Sequence, residues 1–374
     1  MEVEILRDKL KTALNNCERI TRKSLTLPIL QNVLLKSEGN FLEITTTNLE
    51  TTIKWQILAK VKKEGRVAVP ATFLANLVSL IPAEKIILAT ENKNLVLTTK
   101  DQKIQVQGQD PEDFPLIPKI EKKASYSIAN QKLNEALSQT VDIPSFSQIR
   151  PEISGIYFEF KKNKAKIVST DSFRLAEKTI GLEKECNEGF SFILPQNSAR
   201  EIANISGQQK GKVDIHCDPN QVLFEFSNQD NSHSRVDILS RLIEGEYPSY
   251  QEIIPKKYTS KIQIDKDLFE TQIKQAGLFS GKILEVKLTT FSQKKKIRIF
   301  SQSPESGRNE AYLPAETGGE DIEVSFNYRF LLDGLQTLKS SEVVFELNKD
   351  EGPGVLKPVG DESYLYVLMP IKSS

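Results

Sequence analysis

One order of events restarts three times along this chain of 374 residues, which narrows the possible folds more than any single motif does. The first unit opens with an alternating strand around Val3 and Ile5. A helical stripe follows, with Leu10, Ala13, Leu14 and Cys17 spaced i, i+3, i+4, i+7. The same order restarts at Tyr126 and Ile128, with Leu133, Ala136, Leu137 and Val141 on the helix. It restarts again at Ile262 and Ile264, followed by Phe269, Ile273 and Ala276. Behind each helix lies a hairpin signature turning at a charged tip: NVLLKSEGNFLEITTT, GIYFEFKKNKAKIVST and LEVKLTTFSQKKKIRIFSQ. Each unit then has a second strand-to-helix junction. Pro70 and Pro195 stand at two of these helix starts, where a missing N–H costs nothing, and Asn327 is a good N-cap at the third. Leu74, Ala199 and Leu331 take equivalent places, as do Val78, Ala203 and Leu335.

The period is roughly 125 to 135 residues, an ordinary domain length. The fold class is therefore α+β: three copies of one module, each with two helices packed on antiparallel sheet. The polar joints KIEKKAS and IPKKYTS set the modules at 1–121, 122–255 and 256–374. The tract LNKDEGPGVLKPVGDESY, with two prolines and three glycines, excludes a helix and predicts a loop-flanked edge of a binding groove.

Composition removes several functions. Lys plus Arg number 50 and Asp plus Glu number 50, so the chain is not a basic nucleic-acid binder of the usual kind. No run of about 18 apolar residues offers a membrane span, and MEVEILRDKLK does not read as a signal peptide. The expectation is a cytoplasmic protein with no membrane contact. Three scattered cysteines make no disulfide framework, and two histidines without CxxC or HExxH spacing make no metal site. Phosphate-cradling and nucleophile-elbow motifs are missing too, so no cofactor is expected. Asp171, Ser172 and His216 form no catalytic set, because nothing in their spacing brings His216 within reach of a serine. Weight moves from catalysis to binding.

Several strings carry a family resemblance. They are LPILQNVLL at Leu27 to Leu35, TTTNLE before residue 51, VPATFL from Val69, and DFPLIP. Further on come STDSFRLAEK, RLIEGEYPSYQEIIP from Arg241, FNYRFLLDGL and the terminal YLYVLMPIK. In this order over three repeats, the chain resembles the bacterial DNA polymerase III beta subunits, the sliding clamps, along its whole length. The resemblance implies a head-to-tail homodimer closed into a ring around duplex DNA, with helices lining the hole. A ring holds DNA by topology, so weak contacts to phosphates suffice and a neutral total charge is no obstacle. The first helix and its exit supply Lys9, Lys11, Arg19, Arg22 and Lys23; Arg22, Lys23 and Arg150 are the expected DNA contacts. The dimer contact implied is Ile104 and Val106, in the alternating KIQVQGQ, against Leu278 and Phe279 of the other chain.

The resemblance further implies a groove for short peptides of the replicative polymerase, the clamp loader and other clamp-binding proteins. Carried over residue by residue, it comprises Ile153, Thr170, Ser172, Phe173, Arg174 and Leu175, then Pro248 and Ile253. Val367, Met369, Pro370 and Ile371 form its C-terminal strip. An apolar lining suits apolar peptide anchors. Many family members have Gly-His where this chain has Ser172 and Phe173, and a basic residue where Glu252 stands, which implies a different peptide preference. The competing reading is a scaffold of the same modules that binds peptides without closing a ring.

Overall fold

The computed structural model describes residues 1–21, 27–145, 147, 149–186, 188–227, 234–349 and 352–372. The chain divides into two compact units: Met1–Glu135 with Phe160–Asn163 and Gly181–Glu244, and Ala136–Glu159 with Lys164–Ile180 and Gly245–Ser374. The second module of the sequence contributes to both.

Among the described residues, six α-helices fall where the repeat requires them: α1 Arg7–Cys17, α2 Ala71–Leu80, α3 Asn130–Ser138, α4 Gln196–Gln208, α5 Lys266–Gly277 and α6 Tyr328–Thr337. The stripe of α1, Leu10, Ala13, Leu14 and Cys17, is fully buried, and so are Leu74 and Val78 of α2. Burying each larger aliphatic side chain contributes about 1.5–3 kcal/mol, which is what holds short helices of this kind in place. Val141 is buried as the pattern demands, but it lies beyond the end of α3. Pro70 and Pro195 occupy the N-cap positions of α2 and α4, whereas Asn327 caps α6 by accepting the Arg329 N–H at 3.0 Å. In the first unit, the Asn134 side chain of α3 donates to the carbonyl of Ala203 on α4 at 2.7 Å. Among the described residues no helix is long and apolar enough to cross a membrane.

The first unit holds a five-stranded sheet in the order Lys60–Lys63, Glu2–Leu6, Lys85–Glu91, Asn94–Thr98, Lys103–Val106. It also holds an eight-stranded sheet that runs across a module boundary. There, Arg235–Arg241 of the second module pairs antiparallel with Thr51–Leu58 of the first, Asp237 opposite Lys54 and Leu239 opposite Thr52. The second unit repeats this seam: Arg174–Gly181 pairs with Tyr364–Leu368, Arg174 opposite Leu368 and Leu175 opposite Val367. Its other sheet has the order Gly307–Pro314, Lys296–Ser303, Glu285–Phe291, Glu323–Asn327.

The second unit's core stacks Phe269 and Ile273 of α5 and Leu331 and Leu335 of α6 with Phe326, Phe345, Tyr364 and Tyr366 of the strands. The tract expected as a loop-flanked edge of the groove contains no helix: Gly354–Pro358 is a strand between Glu342–Leu347 and Tyr364–Leu368, and its Val355 packs with Leu175 and Val367. Its glycine is a packing residue, since a Cβ on Gly354 would lie 2.7 Å from the Phe345 ring. Val355 and Leu356 are both fully buried, as suits a strand paired on both sides.

Candidate functional site

A tight turn organises the site. Thr170 ends one strand, Asp171 to Phe173 turn, and Arg174 begins the next. The Asp171 carboxylate accepts the N–H groups of Phe173 and Arg174, each at 3.0 Å, and the Arg174 Nε at 2.9 Å. The Thr170 hydroxyl donates to the Arg174 carbonyl and accepts the Ser172 N–H. Ser172 has φ +77°, a left-handed conformation that costs a non-glycine residue energy and that these bonds hold. The guanidinium of Arg174 also bonds Asp333 of α6 and lies 4.5 Å over the Phe330 ring. Burial works against its charge, but Tyr366, Asp333 and Asp171 outweigh burial, and its pKa lies above the ordinary arginine value. Replacing Asp171 by alanine removes three bonds to a buried carboxylate and leaves Arg174 short of a partner. The expected loss of stability is about 3 kcal/mol, read as a lowered midpoint in urea denaturation.

The C-terminal strip is tied to this turn. The Met369 N–H donates to the Phe173 carbonyl at 2.9 Å and the Ile371 N–H to the Ser325 carbonyl at 2.8 Å. Leu175 and Val367, opposite each other across the strands, pack in one buried cluster with Val168, Val355 and Tyr250. Tyr250 anchors the segment that carries Pro248 and Ile253. Its N–H donates to the Pro248 carbonyl, its own carbonyl accepts the Ile253 N–H, and its hydroxyl donates to Glu177 at 2.5 Å. Burial, then the Glu177 carboxylate, push the Tyr250 pKa far up, so that hydroxyl stays protonated. Ile153 is buried on the turn Pro151–Ile153. Arg150, just before it, reaches Ser172 Oγ at 3.4 Å and Glu152 at 3.2 Å.

The residues expected to form the groove thus come together in the second unit from four chain segments. Thr170, Leu175, Ile153 and Val367 are buried, whereas Phe173 (62% exposed), Ile253 (48%) and Met369 (37%) present apolar surface outward. Pro248, Pro370 and Ile371 are half-buried. Sequence reasoning missed Phe330, whose ring stacks on Phe173 at 6.3 Å, and Asp333, which bonds Arg174. A signal existed: in FNYRFLLDGL, Phe330 is apolar but precedes the Leu331 and Leu335 core stripe by one position.

The other named residues lie elsewhere. Lys103–Val106 is an edge strand; Val106 is buried against its own unit and Ile104 is half-buried. Leu278 follows α5 and is 75% exposed, with Phe279 half-buried beside it. Arg19 is bonded to Glu201 at 2.8 Å. Arg22 and Lys23 lie outside the described residues.

Known proteins share this architecture. Three family models match in sequence: the DNA polymerase III beta subunit N-terminal domain over 1–118, its central domain over 127–249 and its C-terminal domain over 251–372. Beta sliding clamps of Staphylococcus aureus and Staphylococcus epidermidis are each 28% identical over 385 residues, covering 100% of both chains. The crystal structure of a DnaN sliding clamp from Pseudomonas aeruginosa superposes with a TM-score of 0.93 at 23% identity. That of the Bacillus subtilis DNA polymerase sliding clamp gives 0.92 at 24%, and both cover 100% of each chain. Three domain models in order over nearly the whole chain and structural likeness over its full length agree: the chain belongs to the DNA polymerase III beta subunit family, the sliding clamps.

Proposed function

We propose that this chain works as a DNA sliding clamp, without catalysis of its own, in the cytoplasm. Two copies close head to tail around duplex DNA, and the groove tethers the replicative polymerase, the clamp loader and other proteins carrying apolar clamp-binding peptides. The carrying observation is a missing third seam. Thr51–Leu58 and Arg174–Gly181 each begin after a turn and each pair with the closing strand of the next module. The equivalent strand of the third module, Gly307–Pro314, is an edge; so is Lys103–Val106, the closing strand of the first. An unpaired edge of this length is a template for another chain.

The register transfers. Ser240 lies opposite Thr51, three residues before Ile243, which bridges to Ile193. Val106 lies three residues before Gln109, which bridges to Ala68. Gly307, the counterpart of Thr51, therefore falls opposite Val106 of the other copy, and Glu310 opposite its Lys103. That pair repeats, with the charges exchanged between strands, Lys54 opposite Asp237 in the first seam. Leu278 and Phe279 complete the contact.

Encirclement predicts topology-dependent binding. After loading, the protein is expected to stay on nicked circular DNA and to leave when the circle is cut. Equal retention on both forms points instead to ordinary electrostatic binding and a scaffold without a ring. Arg22, Lys23 and Arg150 supply phosphate contacts, Arg150 by exchanging Glu152 for phosphate. Changing all three weakens retention and its salt dependence modestly, and leaves the ring intact.

A further inference from the structure

The first seam contains a second copy of the groove's frame. In the turn at 47–51, the Leu49 N–H donates to Thr47 Oγ1 at 3.1 Å, and the Asn48 side chain accepts from Glu50 N at 3.0 Å and Thr51 N at 2.7 Å. Leu49 has φ +72°, against +77° for Ser172. The Arg241 N–H donates to the Glu50 carbonyl at 2.9 Å, as that of Met369 does to Phe173 at 2.9 Å. Thr52 pairs opposite Leu239, in the places held by Leu175 and Val367. DFP ending at Pro115 stands where EYP ends at Pro248.

This frame is not filled. A cavity of about 80 Å³ lies among Leu49, Thr52, Pro115, Leu116, Leu239 and Arg241. A second cavity, of about 290 Å³, shares Thr52, Ile117, Pro118 and Leu239 with it and extends to Lys54 and Lys119. Leu116 is 97% exposed and Leu49 44% exposed, an arrangement that leaves two large apolar side chains in water at the mouth of a cleft. Glu50 and Arg241 replace Phe173 and Met369, so the rim is charged here. Among the residues lining the two cavities, the cations Lys54, Lys119 and Arg241 outnumber the acids Glu50 and Asp237.

We propose that this cleft is a second peptide site, taking an extended segment with two apolar side chains and one carboxylate. The apolar side chains seat on Leu116, Leu49 and Leu239, and the carboxylate meets Arg241. Because the frame is the same and the rim chemistry differs, the two sites select different segments, and one chain holds two partners at once. The inference rests on reading the groove at Leu175 and Val367 as a peptide site.

The test uses the full chain and a hexapeptide with alternating leucines, one glutamate and a benzophenone, photo-crosslinked and mapped by mass spectrometry. Labelling is expected at 115–118 or 239–241 as well as at 170–175 or 367–371. Arg241→Glu should cut labelling of the first set about tenfold and spare the second, while a lysine-for-glutamate peptide should regain it. Leu116→Ser, at a side chain free in water, gives the same loss without threatening the fold. Phe173→Ser should do the converse. Labelling of only the second set overturns this inference and leaves the groove reading standing. Labelling of only the first set sinks the groove reading instead, and labelling of neither overturns both. Chain-to-chain crosslinks from a benzophenone placed at position 116, without peptide, would mean that a second copy fills the cleft, and would also overturn the inference.

Discussion

Removing the six residues from Met369 to Ser374 is expected to weaken binding of a polymerase C-terminal peptide roughly thirty- to a thousandfold, about 2–4 kcal/mol. The end of a chain is ordinarily dispensable. This one is not free: Met369 and Ile371 donate backbone hydrogen bonds to Phe173 and Ser325, which hold an exposed methionine beside an exposed phenylalanine. Truncation removes one wall and leaves two carbonyls to water, which costs the fold only about 1 kcal/mol. Fluorescence anisotropy with the labelled peptide measures the loss. Sedimentation should still find a dimer, because the strip is remote in sequence from both proposed interface strands. Unchanged affinity would show that the strip merely finishes the sheet.

The second large effect concerns closure. Changing Leu278 and Phe279 to aspartate should convert the dimer to a folded monomer, by losing two apolar anchors and placing charges in a desolvated contact. The expected cost to association is on the order of 4–6 kcal/mol. Leu278 is mostly in water in the single chain, so melting should move little; the half-buried Phe279 sets the size of any shift. The proposed register adds a sharper arm. Glu310→Lys faces Lys103 with a like charge and should weaken the dimer, and adding Lys103→Glu should restore it. Sedimentation equilibrium of the four proteins reads the result. A double aspartate variant that stays dimeric moves the interface elsewhere, and failure of the charge exchange to rescue rejects the register.

Much of this architecture was legible before any coordinates. The apolar stripes of α1, α3 and α5 could be read because their spacing is local: a 3.6-residue period marks the buried face whatever it packs against. The hairpins were legible for the same reason, since each pairs with its sequence neighbour around a polar tip. That Gly354–Pro358 is a strand was not legible, because glycine and proline are turn residues on average. Why a glycine stands there is a matter of packing, since a Cβ at 354 would lie 2.7 Å from the Phe345 ring, a contact no local pattern reports.

The candidate site divides along the same line. Its apolar residues could be named from the resemblance, and TDSFR announces a turn by its Asp and Ser. That Leu175 lies opposite Val367, that Tyr250 packs against both while its N–H holds the Pro248 carbonyl, and that Phe330 and Asp333 complete the shell around Arg174 were not legible. The sequence by itself determined the threefold α+β repeat, because periodicity and capping act over a few residues. Only the tertiary structure decided which strand ends meet at each seam, and so that Phe173 stands beside Met369 at one turn and Glu50 beside Arg241 at the other. Backbone pairing across a seam joins segments far apart in the chain, and its register is set by the packing of whole sheets.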